Sequence, residues 1–570
     1  MIVAKAPPSS SEAYYDLGTF GRPVETNNQE AQVWFNRGLT WIYAFHQDEA
    51  VRCFEAALSH DPSCVMAYWG MAFALGPNYN NKWEFFPPPQ LKDHMERVHQ
   101  LFGDVEPYLD KADPLERALV QSLKARFPSN YAGMEFRQWN EAHVKEMKEV
   151  YDKYGANDLD VAALYVDAMM CLTPWKMWDL KTGEPCPGSY AKTAQAVLEK
   201  AFLDPEADHH PGLLHLYIHL IEMSASPERA IHAADKLLGL IPDAAHLNHM
   251  PSHIDVLIGD YRRAIYANAR AIVSDEVYVS RSGPGGFYIL YRLHDYSSII
   301  YAAMFNGQYK TAMRFVEGME RSMGEESVRV MPDIVESYVS TRLHVLVRFG
   351  RWDEILERQM PEDKDLYCVT TAMMHYARGL ALAAQGKLDE ADIEQSHFEA
   401  ALRRVPPSRL HFPAHSIPTL AIGEMMLKGE LEYRRKNYTE AFKHLEEAVH
   451  RYDNLQYGEP WPWMMPSRHP YAALLVEQGW IQKALKIYSE DLGYDHTLPR
   501  ACQHPNNVWS LHGYHECLVK LGRKEEANIV LPQLRLALAI ADVKISSSCF
   551  CRLEVDEGVL YDGPTSRCCE

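Results

Sequence analysis

The sequence predicts an all-α fold, an α-solenoid in which antiparallel helix pairs stack into a superhelix and long loops fill its groove. Three observations predict it. Small residues and aromatics recur at helix-pair offsets from Trp34 to Pro62. His249 follows His215, and His253 follows His219, by 34 residues, a period typical of stacked repeats. No segment is rich in strand signals.

With 570 residues, the chain exceeds one compact core, so an elongated array or several domains is expected. We divide it into an N-terminal extension (1–30), the helical array (31–545, with the paired His in repeats spanning about 208–276) and a C-terminal tail (546–570). A formal charge of −20 disfavours nucleic acid and anionic membrane surfaces as partners. No apolar run reaches transmembrane length. The first residues are Pro/Ser-rich and lack a continuous apolar stretch, so a signal peptide is not expected and the reading is cytoplasmic. Among 11 Cys, Cys549/Cys551 and Cys568/Cys569 cluster in what reads as a solvated, reduced tail.

The first repeat is the clearest. Trp34, Gly38, Trp41, Ala50, Phe54, Ala57 and Pro62 stand where two packed helices need a wedge of aromatics and close-approach residues. On these residues the chain resembles the tetratricopeptide-repeat family, with Arg37 in place of the usual leucine. Weaker units follow: Ala230 and Pro242 close the one holding His215, and Ala264 and Ala271 close the one holding His249. Gly379/Ala391, Gly429/Ala441 and Ala472/Ala484 mark later ones. Four loops rich in Pro, Gly and aromatics interrupt the array: Gly76–Gln90, Thr173–Tyr190, Ser280–Tyr291 and Tyr457–His469. Such insertions either build a site or cap an apolar seam. If they build a site, Trp175, Phe287, Trp461 and Trp463 wall a substrate pocket at the groove mouth.

The paired His point to a metal. Residues i and i+4 share a helix face about 5–6 Å apart. Neighbouring packed helices lie about 8–10 Å apart, so two pairs can converge on one centre. Random placement of 26 His would give four at these spacings about 0.002 times per chain. By the family's register the four take groove-lining positions, which implies that they face the groove. Glu222 continues the first face as a fifth ligand, a partner to a His N–H, or a general base. Tyr165 and Asp167 precede, and Arg292 and His294 follow. Tyr165, Asp167 and Arg292 are candidates for proton transfer or substrate anchoring, and His294 for the pocket. His246, His344 and His469 also fall near groove positions, as single residues.

An imidazole set excludes calcium and magnesium and suits copper first, zinc second and iron third. Without thiolates nearby, a closed structural zinc site is disfavoured, so a bound metal is expected to serve catalysis. The segments His210–His219 and His249–His253 resemble a bacterial and fungal subset of tetratricopeptide proteins with H-P-G-x-x-H-x-x-x-H and H-M-P-S-H. That resemblance implies the fold and no defined reaction. No phosphate-binding glycine loop, G-x-S-x-G or H-E-x-x-H is present. The expected function is a metal-dependent enzyme acting on a small molecule in the groove, with oxidation ahead of hydrolysis. The alternative is a scaffold that binds a peptide or partner protein.

Overall fold

The computed structural model describes residues 8–129, 135–283 and 288–552. The chain divides into two compact units, Met1–Ile254 with Arg270–Gly283, and Asp255–Ala269 with Pro284–Glu570. Both are built from helices. The only strands among the described residues are Leu410–His411 and Ala414–His415, paired as one short hairpin.

The first unit holds α1 (Gln29–Tyr43), α2 (Gln47–His60), α3 (Val65–Ala74), α4 (Pro88–Leu109), α5 (Pro114–Lys124), α6 (Phe136–Tyr154), α7 (Leu159–Met170), α8 (Ala191–Ala201), α9 (Pro211–Ile221), α10 (Ile231–Leu237), α11 (Ala245–His249) and the first residues of α12 (Pro251–Ile258). The repeat marks work as the packing argument requires. The Asn28 side chain caps α1 by accepting from the Glu30 and Ala31 amides. Phe45, at φ 54°, turns the chain into α2. The Phe54 ring then lies between α1 and α3, against Gly38 and Gly70. A Cβ on either glycine would stand 2.7 or 2.4 Å from that ring.

The second unit repeats the scheme. Cys368–Ala384 packs on Leu388–Leu402, Ser416–Arg434 on Tyr438–Asp453, Arg468–Glu477 on Ile481–Leu492, and Val508–Lys520 on Lys524–Ile540. Each pair is joined through one left-handed residue: Gly386, Lys436, Gly479 or Gly522. This is an all-α, tetratricopeptide-like solenoid of helix pairs. Between two of the pairs sits a buried polar knot. Asp491 accepts from His469 Nε2 (2.9 Å), His504 Nδ1 (2.8 Å), Asn507 Nδ2 (3.0 Å) and Ser510 Oγ (2.6 Å). Burial alone would raise its pKa, but the two imidazoles hold it well below the usual carboxylate range.

Two of the expected loops hold helical structure among their described residues. In Gly76–Gln90, Trp83 is buried in a 3₁₀ turn and its indole N–H donates to Asn140 Oδ1 at 3.1 Å. Of Ser280–Tyr291, the start belongs to the helix Tyr261–Ser282, because buried positions at helical spacing continue past Ala271 to Ser274, Asp275 and Tyr278. Cys549 and Cys551 are joined as a disulfide, with Cys551 buried, so that pair is not part of a solvated tail. Cys568 and Cys569 lie outside the described residues.

Candidate metal centre

The H-P-G-x-x-H-x-x-x-H segment can be read residue by residue. His210 caps α9, its Nδ1 accepting from the Leu213 amide at 3.2 Å. Its Nε2–H donates to Asp160 Oδ1 at 3.1 Å. Pro211 occupies the first turn, where no backbone donor is needed. Gly212 admits the Tyr43 ring, which a Cβ there would meet at 2.4 Å. Tyr43 is held from its far end as well, by its hydroxyl donating to Asp160 Oδ1 at 2.6 Å. Asp160 in turn pairs with Arg22 at 2.9 Å. With α1 fixed in this way, the Tyr43 carbonyl accepts from His215 Nδ1–H at 2.6 Å. The glycine and the cap therefore set the orientation of an imidazole that lies outside both contacts.

His219 stands one turn further along α9. Its Nδ1–H donates to Glu222 Oε1 at 2.9 Å, and the other oxygen of Glu222 accepts from His253 Nδ1–H. Three imidazoles thus use Nδ1 for a protein acceptor, which fixes the tautomer and leaves a lone pair on each Nε2. His215 Nε2 faces His246 Nε2 at 3.1 Å, and His253 Nε2 faces His249 Nε2 at 2.7 Å. One ligating atom from each of His215, His219 and His246 falls within 4.8 Å of the others. Burial drives His215 down to a pKa of about 3 and His246 well below its ordinary value. Both rings are therefore neutral at physiological pH, the form that ligates.

The sequence placed His215, His219, His249 and His253 around one centre. The structure brings all four into one cluster and adds His246, which had been only a lone groove histidine. Its signal was present: it lies three residues before His249, one turn away on α11. The expected open, groove-facing disposition does not hold. The five imidazoles and Glu222 are at most 6% exposed. Phe45 lies 4.4 Å from the His215 ring, and Tyr79, from the Gly76–Gln90 loop, lies 4.7 Å from His219. Of the three roles open to Glu222, its hydrogen bonds fill that of a partner to two His N–H groups, while its carboxylate also lies within 4.8 Å of ligating atoms of His219 and His253.

Asp167 lines a small cavity of about 10 Å³ with His215, Tyr43 and Phe45, which is space for about one water. Burial raises its carboxyl to about 6, against the opposing pull of Arg126. Tyr165 turns instead to α6, stacking on Tyr151 at 5.0 Å. Trp175 stands behind Tyr79, its ring 5.6 Å away and its amide donating to the Tyr79 hydroxyl. Arg292, His294, Trp461 and Trp463 belong to the second unit. There His294 and Trp461 line a cavity of about 40 Å³ with His344 and His411, while Trp463 packs edge-on against His344. Phe287 lies outside the described residues.

Residues 31–64 match the tetratricopeptide repeat family model. Comparison with curated proteins finds no match. Among solved structures, the chain is similar to yeast Tom70, at 12% identity over 90% of this chain and 91% of that one, with a TM-score of 0.25. It is also similar to a circular tandem repeat protein with novel repeat topology, at 10% identity over 90% and 89%, with a TM-score of 0.12. Superpositions this loose carry nothing about function, and the fold stands on the helix pairs themselves. No helix among the described residues is long and apolar enough to cross a membrane.

Proposed function

We propose that this tetratricopeptide-repeat protein is a metal-dependent enzyme whose transition metal sits on His215, His219 and His246 and whose substrate is a small molecule. One observation carries the reading. The Nδ1–H groups of His215 and His219 are bonded to the Tyr43 carbonyl and Glu222, His215 Nε2 faces His246 Nε2 at 3.1 Å, and one ligating nitrogen of each of the three falls within 4.8 Å of the others. Neutral buried imidazoles held by bonds at their far nitrogen are what a metal site requires, since the ligand must arrive deprotonated and oriented. An all-nitrogen set ranks copper first, zinc second and iron third, and copper favours oxidation over hydrolysis. Asp167, beside His215 in the same small cavity and poised near neutrality, is the residue best suited to hold or pass a proton there.

The test is elemental analysis of the full chain after separate exposure to copper, zinc and iron and removal of excess ion. Wild type should retain metal, His219→Ala should lose most of it, and the exposed His232→Ala should behave as wild type. The repeat at 31–64 supports a second reading, a scaffold that holds a peptide or partner protein. Negligible metal in all three proteins would remove the enzyme reading and leave the scaffold.

A further inference from the structure

We infer that the cluster takes two metal ions, in adjoining sites that share Glu222 as their common anchor. The inference rests on the metal reading above but goes beyond it in stoichiometry and in the residues assigned. Donors bound at about 2.0–2.1 Å to one tetrahedral ion lie roughly 3.3 Å from each other. Two separate pairs in the cluster approach that spacing: His215 Nε2 with His246 Nε2 at 3.1 Å, and His249 Nε2 with His253 Nε2 at 2.7 Å. The pairs are distinct. Ring centroids within the two pairs are 4.9 and 4.7 Å apart, against 5.8 Å for His246–His249. His219 sits between, 4.9 Å from His215, 6.0 Å from His246 and 5.4 Å from His253. It joins the first pair because one ligating atom from each of the three falls within 4.8 Å of the others. One ion within bonding distance of His215, His219 and His246 leaves the facing nitrogens of His249 and His253 to a second. Two-metal sites commonly hold their ions about 3.5–4 Å apart, a separation that fits rings offset by this amount.

Lone-pair accounting gives the same division. His215 and His253 each present a fixed Nε2 lone pair, because their Nδ1–H groups donate to the Tyr43 carbonyl and Glu222. Each faces the Nε2 of a second imidazole, so each contact must hold either a proton or a metal. Without metal, His246 and His249 supply that proton as an N–H···N bond. On binding, each ion takes the proton's place, and the proton passes to Nδ1 of the same ring, which stays neutral. Glu222 links the two sites: one oxygen orients His219 of the first, the other His253 of the second. It also places one negative charge between two cations in a buried setting, where mutual repulsion is otherwise poorly screened.

The experiment uses the metal-free full chain, titrated with copper alone and with zinc alone, desalted and assayed for ions per chain. The variants are His246→Gln and His249→Gln, each checked for helicity by circular dichroism. Two ions in wild type, falling to one in His249→Gln and to one in His246→Gln, are expected. One ion in wild type, unchanged by His249→Gln, overturns the inference and leaves the single-ion reading intact. Two ions that both survive His249→Gln place the second ion elsewhere and overturn it equally. No ion in wild type overturns both. Wild-type stoichiometry decides between one and two even if a variant fails to fold.

Discussion

At the scale of residues, Glu222 and Gly212 carry more of the candidate centre than their side-chain chemistry suggests. Glu222 accepts from two imidazoles, a task that a carboxylate performs and an amide cannot, since Gln presents N–H on one side. Glu222→Gln should therefore force His219 or His253 into the wrong tautomer. Metal affinity, read by competition with a chromogenic chelator, should fall by about 10–100-fold with the fold retained. Unchanged affinity would show that the tautomers are not set through Glu222. Gly212→Ala acts at a distance. Its methyl would collide with the Tyr43 ring, and overpacking of this kind costs about 1–3 kcal/mol. The expected outcome is a lower melting temperature together with weaker metal retention, because the Tyr43 carbonyl orients His215.

Elements explain why some of this was readable and some was not. The helical repeat is written in the sequence because its packing rules are local: Gly38 must face Phe54, and those residues stand 16 apart in one helix pair. The i, i+4 spacing of the paired His is equally local. The direction of each ring is not, because it depends on acceptors far away in the chain, such as the Tyr43 carbonyl 172 residues from His215. Register alone therefore placed the imidazoles on the right helices yet left them facing an open groove. The Asp491 knot was also hidden, since its five residues lie on three helices and the segment leading into the third. Its energetics are testable. Removing one partner of a buried charged network costs about 3–5 kcal/mol, so Asp491→Ala should lower stability to denaturant by that order. The wild-type carboxyl sits below its unfolded value of about 3.9, so its contribution is complete above that pH. Acid titration should lose that contribution as the pH falls below about 4, and Asp491→Ala should show a flatter acid limb.

For the molecule as a whole, the histidines of the first unit combine ligand chemistry with near-complete burial, a combination that would govern the timing as well as the affinity of the proposed metal binding. Among the described residues these rings are buried, with Phe45 packed on His215 and Tyr79 on His219. Exchange must then wait for the structure to breathe, and the rate of opening sets the rate of release. Stripping by a strong chelator should reach a plateau rate that further chelator does not raise. Tyr79→Ala, which removes the covering ring without touching a ligand, should lift that plateau severalfold while equilibrium affinity changes little. A stripping rate that stays proportional to chelator concentration would mean the cover is not the gate. A centre with such a gate keeps whatever ion it meets first, so the occupancy of the mature protein would record the metal supply at the time of folding.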